Sequence, residues 1–359
     1  MNHYFIYLQI NNERMETDTF PIRLREARLM MGLSMEQLAE RTGRAMTRQS
    51  ILCYEKGRMH PKHHALQALV QALDISEAYF SCRGVQVNVP MLRSTSGNRL
   101  TEPELQAIEA RLSFWAERYL EKERKAGVTS RFIHPMQGTA VATVDDAARA
   151  ADLLRERWHC GDGPLPFLLR LMERKGIKIL STSLPEGILG LSTWADGKHP
   201  LMVLDMRPER TTTERLRFTA AHELAHLLLT FPSDSEFTEE KRCNQFAGFF
   251  LFPRRTFIDE LFLDRRTTLT LPELIDLRQV YGLSIASLVH EAWDLRLISH
   301  EHYNWWYDEH INKNPLETGW GEYAYKESIG REKRVEEVIQ IFKQERRCIN
   351  NKETILTDS

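Results

Sequence analysis

The stretch Arg217-Phe-Thr-Ala-Ala-His-Glu-Leu-Ala-His-Leu-Leu-Leu-Thr-Phe231 decides how the chain is read. Between Phe218 and Phe231 it holds a single formal charge, Glu223, flanked by His222 and His226, in otherwise apolar or small surroundings. A helix so apolar buries most of its surface, and an ionisable group buried there is costly unless it is paired or bound to a metal. At 3.6 residues per turn, His222 and His226 share one face, with the Glu223 carboxylate beside the first. Two readings are open at this point: a metal-ligand pair, or two hydrogen-bonded histidines on a buried helix.

The 359 residues leave room for two or three domains and at least one large core. A 42% hydrophobic, 27% charged composition is that of an ordinary globular protein, and a net charge of −2 points to no partner. Cys53, Cys82, Cys160, Cys243 and Cys348 are scattered, with no C-x-x-C pair, which reads as reduced thiols in a cytoplasm. No apolar run reaches the length of a membrane span, and residues 1–20 read as a tail or short strand without signal-peptide character.

From Pro21 the text turns to short helices: Arg23–Met31, Met35–Arg41 behind a Ser34/Gln37 capping box, Thr47–Glu55, His63–Leu73, and a fifth capped by Ser76. Gly32-Leu-Ser-Met-Glu-Gln-Leu-Ala-Glu40, Arg48-Gln-Ser-Ile51 and Tyr54-Glu-Lys-Gly57 resemble the XRE (Cro/cI-like) helix-turn-helix family. The resemblance implies a third helix in the major groove of double-stranded DNA, presenting Thr47, Arg48, Gln49 and Ser50 to base edges. Nine Lys/Arg against six Asp/Glu over 21–80 suit phosphate contact modestly. Pairing of such domains on two-fold operators makes a homodimer the expectation. A helix-turn-helix domain kept for protein contact is the other reading.

Residues 82–142 read as a linker with one long helix, Glu102–Lys125. Helices over Thr143–His159 and Leu165–Lys175 follow, then strands at Ile177–Leu180, Gly187–Trp194 and Pro200–Leu204. Thr211 and Glu214 form a capping box that starts the central helix near Thr212. The fold expected is α+β: an all-α helix-turn-helix domain over 21–81, then a small sheet packed on the His222 helix within 143–310, then C-terminal helices over 311–359.

A catalytic zinc needs three protein ligands and an open fourth position. No third histidine stands where Leu229 and Pro232 lie, so a carboxylate from the next helix, Glu236–Leu251, is the alternative. Glu240 and Asn244 fall one turn apart on one face, so Glu240 completes the site and Asn244 orients an imidazole. Glu236 and Glu239 compete, with Glu239 turned about 100° away.

Ala221-His-Glu-Leu-Ala-His226 followed by Glu240-Lys-Arg-Cys-Asn-Gln-Phe-Ala247 resembles the ImmA/IrrE-type zinc metallopeptidases, a gluzincin-like bacterial family. Cys243 replaces the usual Ala. The resemblance implies one zinc per chain held by His222, His226 and Glu240, with Glu223 as general base. It also implies a cytoplasmic endopeptidase that controls transcription by cutting a repressor-like protein. His290 and Tyr281 are weak candidates for the oxyanion partner, and the Ile188–Trp194 strand edge is a candidate peptide-binding surface. The alternative is a transcription regulator whose metal site is structural or sensory.

Overall fold

The computed structural model describes residues 18–89, 101–128, 131–232, 236–263, 266–341 and 343. Expectations for residues 1–17, for Cys348 and for the terminal tail lie outside the described residues. The chain divides into two compact units, and the cut falls within the long helix after Glu121.

In the first unit, α1 (Phe20–Met30), α2 (Met35–Arg41), α3 (Arg48–Glu55) and α4 (His63–Leu73) are followed by a 3-10 turn, Glu77–Ser81. Ser34 caps α2 in a complete box with Gln37, and the Thr47 hydroxyl accepts from Ser50 N at the start of α3. Ser76 makes no side-chain cap; its carbonyl accepts from Tyr79 N at 3.1 Å, which is 3-10 geometry, so the fifth helix is a single tight turn. Leu24, Ala27, Leu38, Ile51, Leu69 and Phe80 form the core. Beside it the Arg28 guanidinium bonds Glu55 twice, at 2.6 and 2.8 Å, and the Leu33 carbonyl at 2.8 Å.

After α5 (Glu102–Ala126), the second unit opens with α6 (Val144–Trp158) behind a Thr143/Asp146 capping box, then α7 (Leu168–Arg174). Three strands follow: β1 (Lys178–Ser181), β2 (Gly190–Ala195) and β3 (His199–Leu204), in the order β1-β3-β2. β1 runs parallel and β2 antiparallel to β3, with Ser192 opposite Met202. β2 is therefore an edge strand among the described residues.

The central helix α8 (Thr213–Leu228) lies on this sheet, and α9 (Glu236–Leu251) packs on its other side. Ala221 and Ala225 on α8 and Cys243 and Ala247 on α9 are small and fully buried, which suits a close helix approach. The stop of α8 is fixed by a short parallel bridge between Ala140 and Thr230.

The start of α8 differs from the expected box. Thr212, not Thr211, is the cap, accepting from Arg215 N at 3.3 Å. Glu214 is drawn instead into a buried pair with Arg278 at 3.1 Å and accepts from Tyr323 N. Tertiary pairing has outcompeted local capping. α7 likewise starts later than expected, at Leu168, because Phe167 takes a left-handed conformation and the Glu327 carboxylate accepts from Leu168 N and Leu169 N.

α10 (Arg254–Glu260), α11 (Leu271–Tyr281), α12 (Ile285–Asp294) and α13 (His300–Trp306) complete the helical layer. The C-terminal segment is tied onto the same unit by acids at helix starts. Glu317 accepts from Ile285 N and Ala286 N, and Glu173 accepts from Gly330 N and Arg331 N as a helix over 331–341 begins. These carboxylates satisfy amides that a helix leaves orphaned and sit at the positive end of its dipole.

Candidate metal centre

α8 places His222 and His226 one turn apart, and both rings turn their Nε2 atoms toward the same point, 3.1 Å from each other. From α9 the two oxygens of Glu240 straddle that point: Oε2 lies 3.1 Å from His222 Nε2 and Oε1 lies 3.3 Å from His226 Nε2. Two imidazole nitrogens and a carboxylate thus converge from two helices. Glu240 is half-exposed, so the group is open to solvent on one side.

The far edge of each ring is held as well. Asn244 Oδ1 lies 2.8 Å from His222 Nδ1, and Glu239 Oε1 lies 3.1 Å from His226 Nδ1. An acceptor at Nδ1 keeps a proton there, so the Nε2 proton is the one a metal would displace, giving the tautomer a metal ligand requires. Glu239 does turn from the Nε2 cluster, yet its side chain reaches the back of His226. The side chain of Glu236 lies outside the described residues.

Cys243 Sγ stands 3.7 Å from His226 Nδ1 and, with His222 and His226, forms a second grouping of donor atoms within 4.8 Å. It faces the Nδ1 edge rather than the convergent Nε2 atoms, so the carboxylate of Glu240 is the better third donor. Burial pulls the His226 imidazole down, but hydrogen bonds to Cys243 and Glu240 outweigh it and push the group up to about 11. Hydrogen bonds from both imidazoles hold Glu240 well below the usual carboxylate range, against the effect of burial. Burial drives the Cys243 thiol up to about 11. The donor set of two nitrogens and a carboxylate, with acceptors behind the rings, fits a divalent cation of the zinc type.

Glu223 is 8% exposed and reaches the sheet. Its Oε2 accepts from the Ser192 hydroxyl on β2 at 2.7 Å. Gly190, at the start of β2, allows this contact: a Cβ there would lie 2.6 Å from Thr219 Cγ2 and 3.1 Å from Glu223 Cγ. Ser192 is a site residue that sequence reasoning misses, since nothing in a six-residue strand marks which hydroxyl meets the helix.

The weak oxyanion candidates separate. Tyr281 is buried, stacks on Phe252 with ring centroids 3.6 Å apart and donates to Glu260, so it does not serve the site. His290 lines a cleft that also includes Asn244, and its Nδ1 lies 3.3 Å from the Tyr303 hydroxyl.

In the first unit, Thr47, Arg48 and Gln49 are exposed, and Ser50 is half-buried with its hydroxyl 3.0 Å from that of Thr47. Two of the four residues expected at bases are thus engaged in capping α3, leaving Arg48 and Gln49 exposed at its first turn.

These features define a chain with a helix-turn-helix domain and, after it, an α+β domain carrying a paired-histidine site. Residues 24–80 match the helix-turn-helix family model, and residues 172–292 match the model of the IrrE N-terminal-like domain, of the M78 peptidases. The protein therefore joins an XRE-type helix-turn-helix domain to an M78 peptidase-like domain. No curated protein matches the chain.

Proposed function

We propose that the protein is a zinc-dependent endopeptidase fused to a DNA-binding domain, acting in the cytoplasm on a repressor-like protein to control transcription. The observation that carries this reading is the convergence of His222 Nε2, His226 Nε2 and the Glu240 carboxylate, with Glu223 on the same helix as the histidines and bonded by Ser192. Those three residues would hold one zinc ion, which when bound supplies Lewis-acid polarisation of the scissile carbonyl and acidifies water.

The remaining work falls to the chain. Asn244 and Glu239 fix the two imidazoles. Glu223 accepts the proton of the attacking water and returns it to the leaving amine, while Ser192 keeps its carboxylate in line. An extended substrate adds to the outer side of β2, where backbone pairing sets its register against α8. Arg48 and Gln49 read base edges, and two copies of the domain bind a two-fold operator as a homodimer.

The test compares the native chain with Glu223→Gln for bound zinc and for cleavage of repressor-like proteins from the same genome neighbourhood. The reading expects one zinc per chain in both and cleavage by the native chain only. Equal zinc with no cleavage by either, while operator binding persists, would instead support a regulator whose metal is structural or sensory.

A further inference from the structure

A cleft of about 300 Å³ opens next to the paired histidines, sharing with them Asn244, the residue behind His222. Its lining includes Glu291 of α12, which is 6% exposed, and neither oxygen of its carboxyl meets a hydrogen-bond donor. The neighbouring acid, Asp294, differs: it accepts from Gln245 Nε2 at 2.7 Å and has Lys241 and His290 within 3.8 Å. A buried carboxyl without a partner is expensive, and a native fold keeps one where something else is to meet it.

Space has been made for this group. Gly248 of α9 faces it, and a Cβ there would lie 3.1 Å from Glu291 Oε2. The same lining carries four aromatic rings, Phe218, Phe249, Tyr303 and Tyr307, and a second acid, Asp294, beside the polar Asn244, Gln245, Ser287 and His290. Rings suited to a methylene stem and a cation, enclosing an anion without a counter-charge, describe a receptor for a long basic side chain.

We propose that this cleft is a specificity subsite for an arginine or lysine side chain close to the scissile bond, with the Glu291 carboxylate as its anionic floor. The inference rests on the peptidase reading above and adds the class of residue recognised. Burial, and then the charge of Asp294, push the Glu291 carboxyl well above its ordinary range, a condition that an entering cation relieves. A neutral side chain of the same length would leave the acid as it is, so discrimination rests on charge more than on size.

The test uses the full chain carrying Glu223→Gln, loaded with zinc, so that peptides bind without being cut. The probe is a positional library of dye-labelled octapeptides in which arginine and its neutral isostere citrulline alternate at each position, read by anisotropy. At one position arginine binds at least about tenfold tighter than citrulline, and adding Glu291→Gln reduces the ratio to about twofold or less. Should the Gln variant fail to fold, Glu291→Asp, which withdraws the charge by one methylene, must weaken the preference at that same position. Equal affinity for arginine and citrulline everywhere, or a preference that survives both substitutions, overturns the proposal. Turnover by the native chain is scored separately. Cleavage without discrimination removes the subsite alone, and discrimination by a chain that cuts nothing removes the peptidase reading alone.

Discussion

The Ser192 hydroxyl donates to Glu223 Oε2 at 2.7 Å, so the edge strand of the sheet holds the acid that stands between the two histidines in sequence. A general base held in one rotamer needs no reorganisation when it takes a proton. Ser192→Ala frees the carboxylate without touching an imidazole. Turnover should fall by about tenfold, against the 10²–10⁴-fold expected for Glu223→Gln. Zinc affinity, measured by competition with a chromophoric chelator, should stay the same in both.

Gly190 makes a second test of the same contact, by crowding instead of deletion. An alanine methyl would sit 2.6 Å from Thr219 Cγ2 and 3.1 Å from Glu223 Cγ, with the helix on one side and β3 fixing the strand on the other. Gly190→Ala should cost about 1–3 kcal/mol in chemical denaturation through overpacking. Turnover should fall further than stability alone accounts for, because the displaced group is the proposed base.

Asp205, just after β3, offers a pH test away from the metal centre. Arg207 bonds it at 2.8 and 2.6 Å and Leu184 N at 3.3 Å, and these contacts, led by Arg207, outweigh burial and hold the carboxyl down at about 2, below its ordinary 3.8. A folded value below the unfolded one means that stability is fully present above about pH 4 and is lost as pH falls toward 2. Asp205→Asn should remove about 1 kcal/mol at neutral pH, a figure lowered for the solvent exposure of Arg207, and the difference from the native chain should vanish near pH 2. Denaturation midpoints at several pH values measure it.

Much of the fold is legible where local signals and tertiary demands agree. α2, α4 and α9 have the bounds read from the sequence, Met35–Arg41, His63–Leu73 and Glu236–Leu251, because local signals and burial point the same way there. The reading fails where a side chain is taken for a distant partner. Glu214 leaves its capping role for Arg278, and Glu327 sets the start of α7 from far along the chain. The same division holds at the site. Spacing on one helix puts His222 beside His226, and spacing on the next aligns Glu240 with Asn244. Ser192 and Glu291 come from other elements, and only the three-dimensional fold brings them to the histidines.

In the helix-turn-helix unit, Arg28 and Glu55 separate folding from recognition. Their bonds at 2.6 and 2.8 Å are buried and join α1 to α3. Arg28→Ala leaves a buried carboxylate unpaired and should cost about 3–5 kcal/mol, enough to melt the domain in a thermal scan. Arg48→Ala and Gln49→Ala lie on exposed positions and should leave the melting temperature alone. Each should weaken operator binding by about 1–3 kcal/mol while leaving non-specific DNA binding nearly intact, as gel-shift titrations at fixed salt would record.

The third ligand is the sharpest question the site poses, since Cys243 stands near the histidines as well as Glu240. Glu240 reaches both Nε2 atoms within 3.3 Å, whereas Cys243 Sγ approaches the Nδ1 edge of His226 at 3.7 Å. A carboxylate that meets both Nε2 atoms is better placed to share a metal with them than a thiol that meets the Nδ1 edge of one ring. Glu240→Ala should therefore weaken zinc binding by well over the roughly 10–100-fold expected for removing a supporting residue such as Asn244. Cys243→Ala should keep one zinc per chain, and the cobalt-substituted native chain should lack the intense near-ultraviolet band of a thiolate ligand. A thiolate band in the native chain that Cys243→Ala abolishes would assign the third position to sulfur, and with it a structural or redox-sensing centre in place of a hydrolytic one.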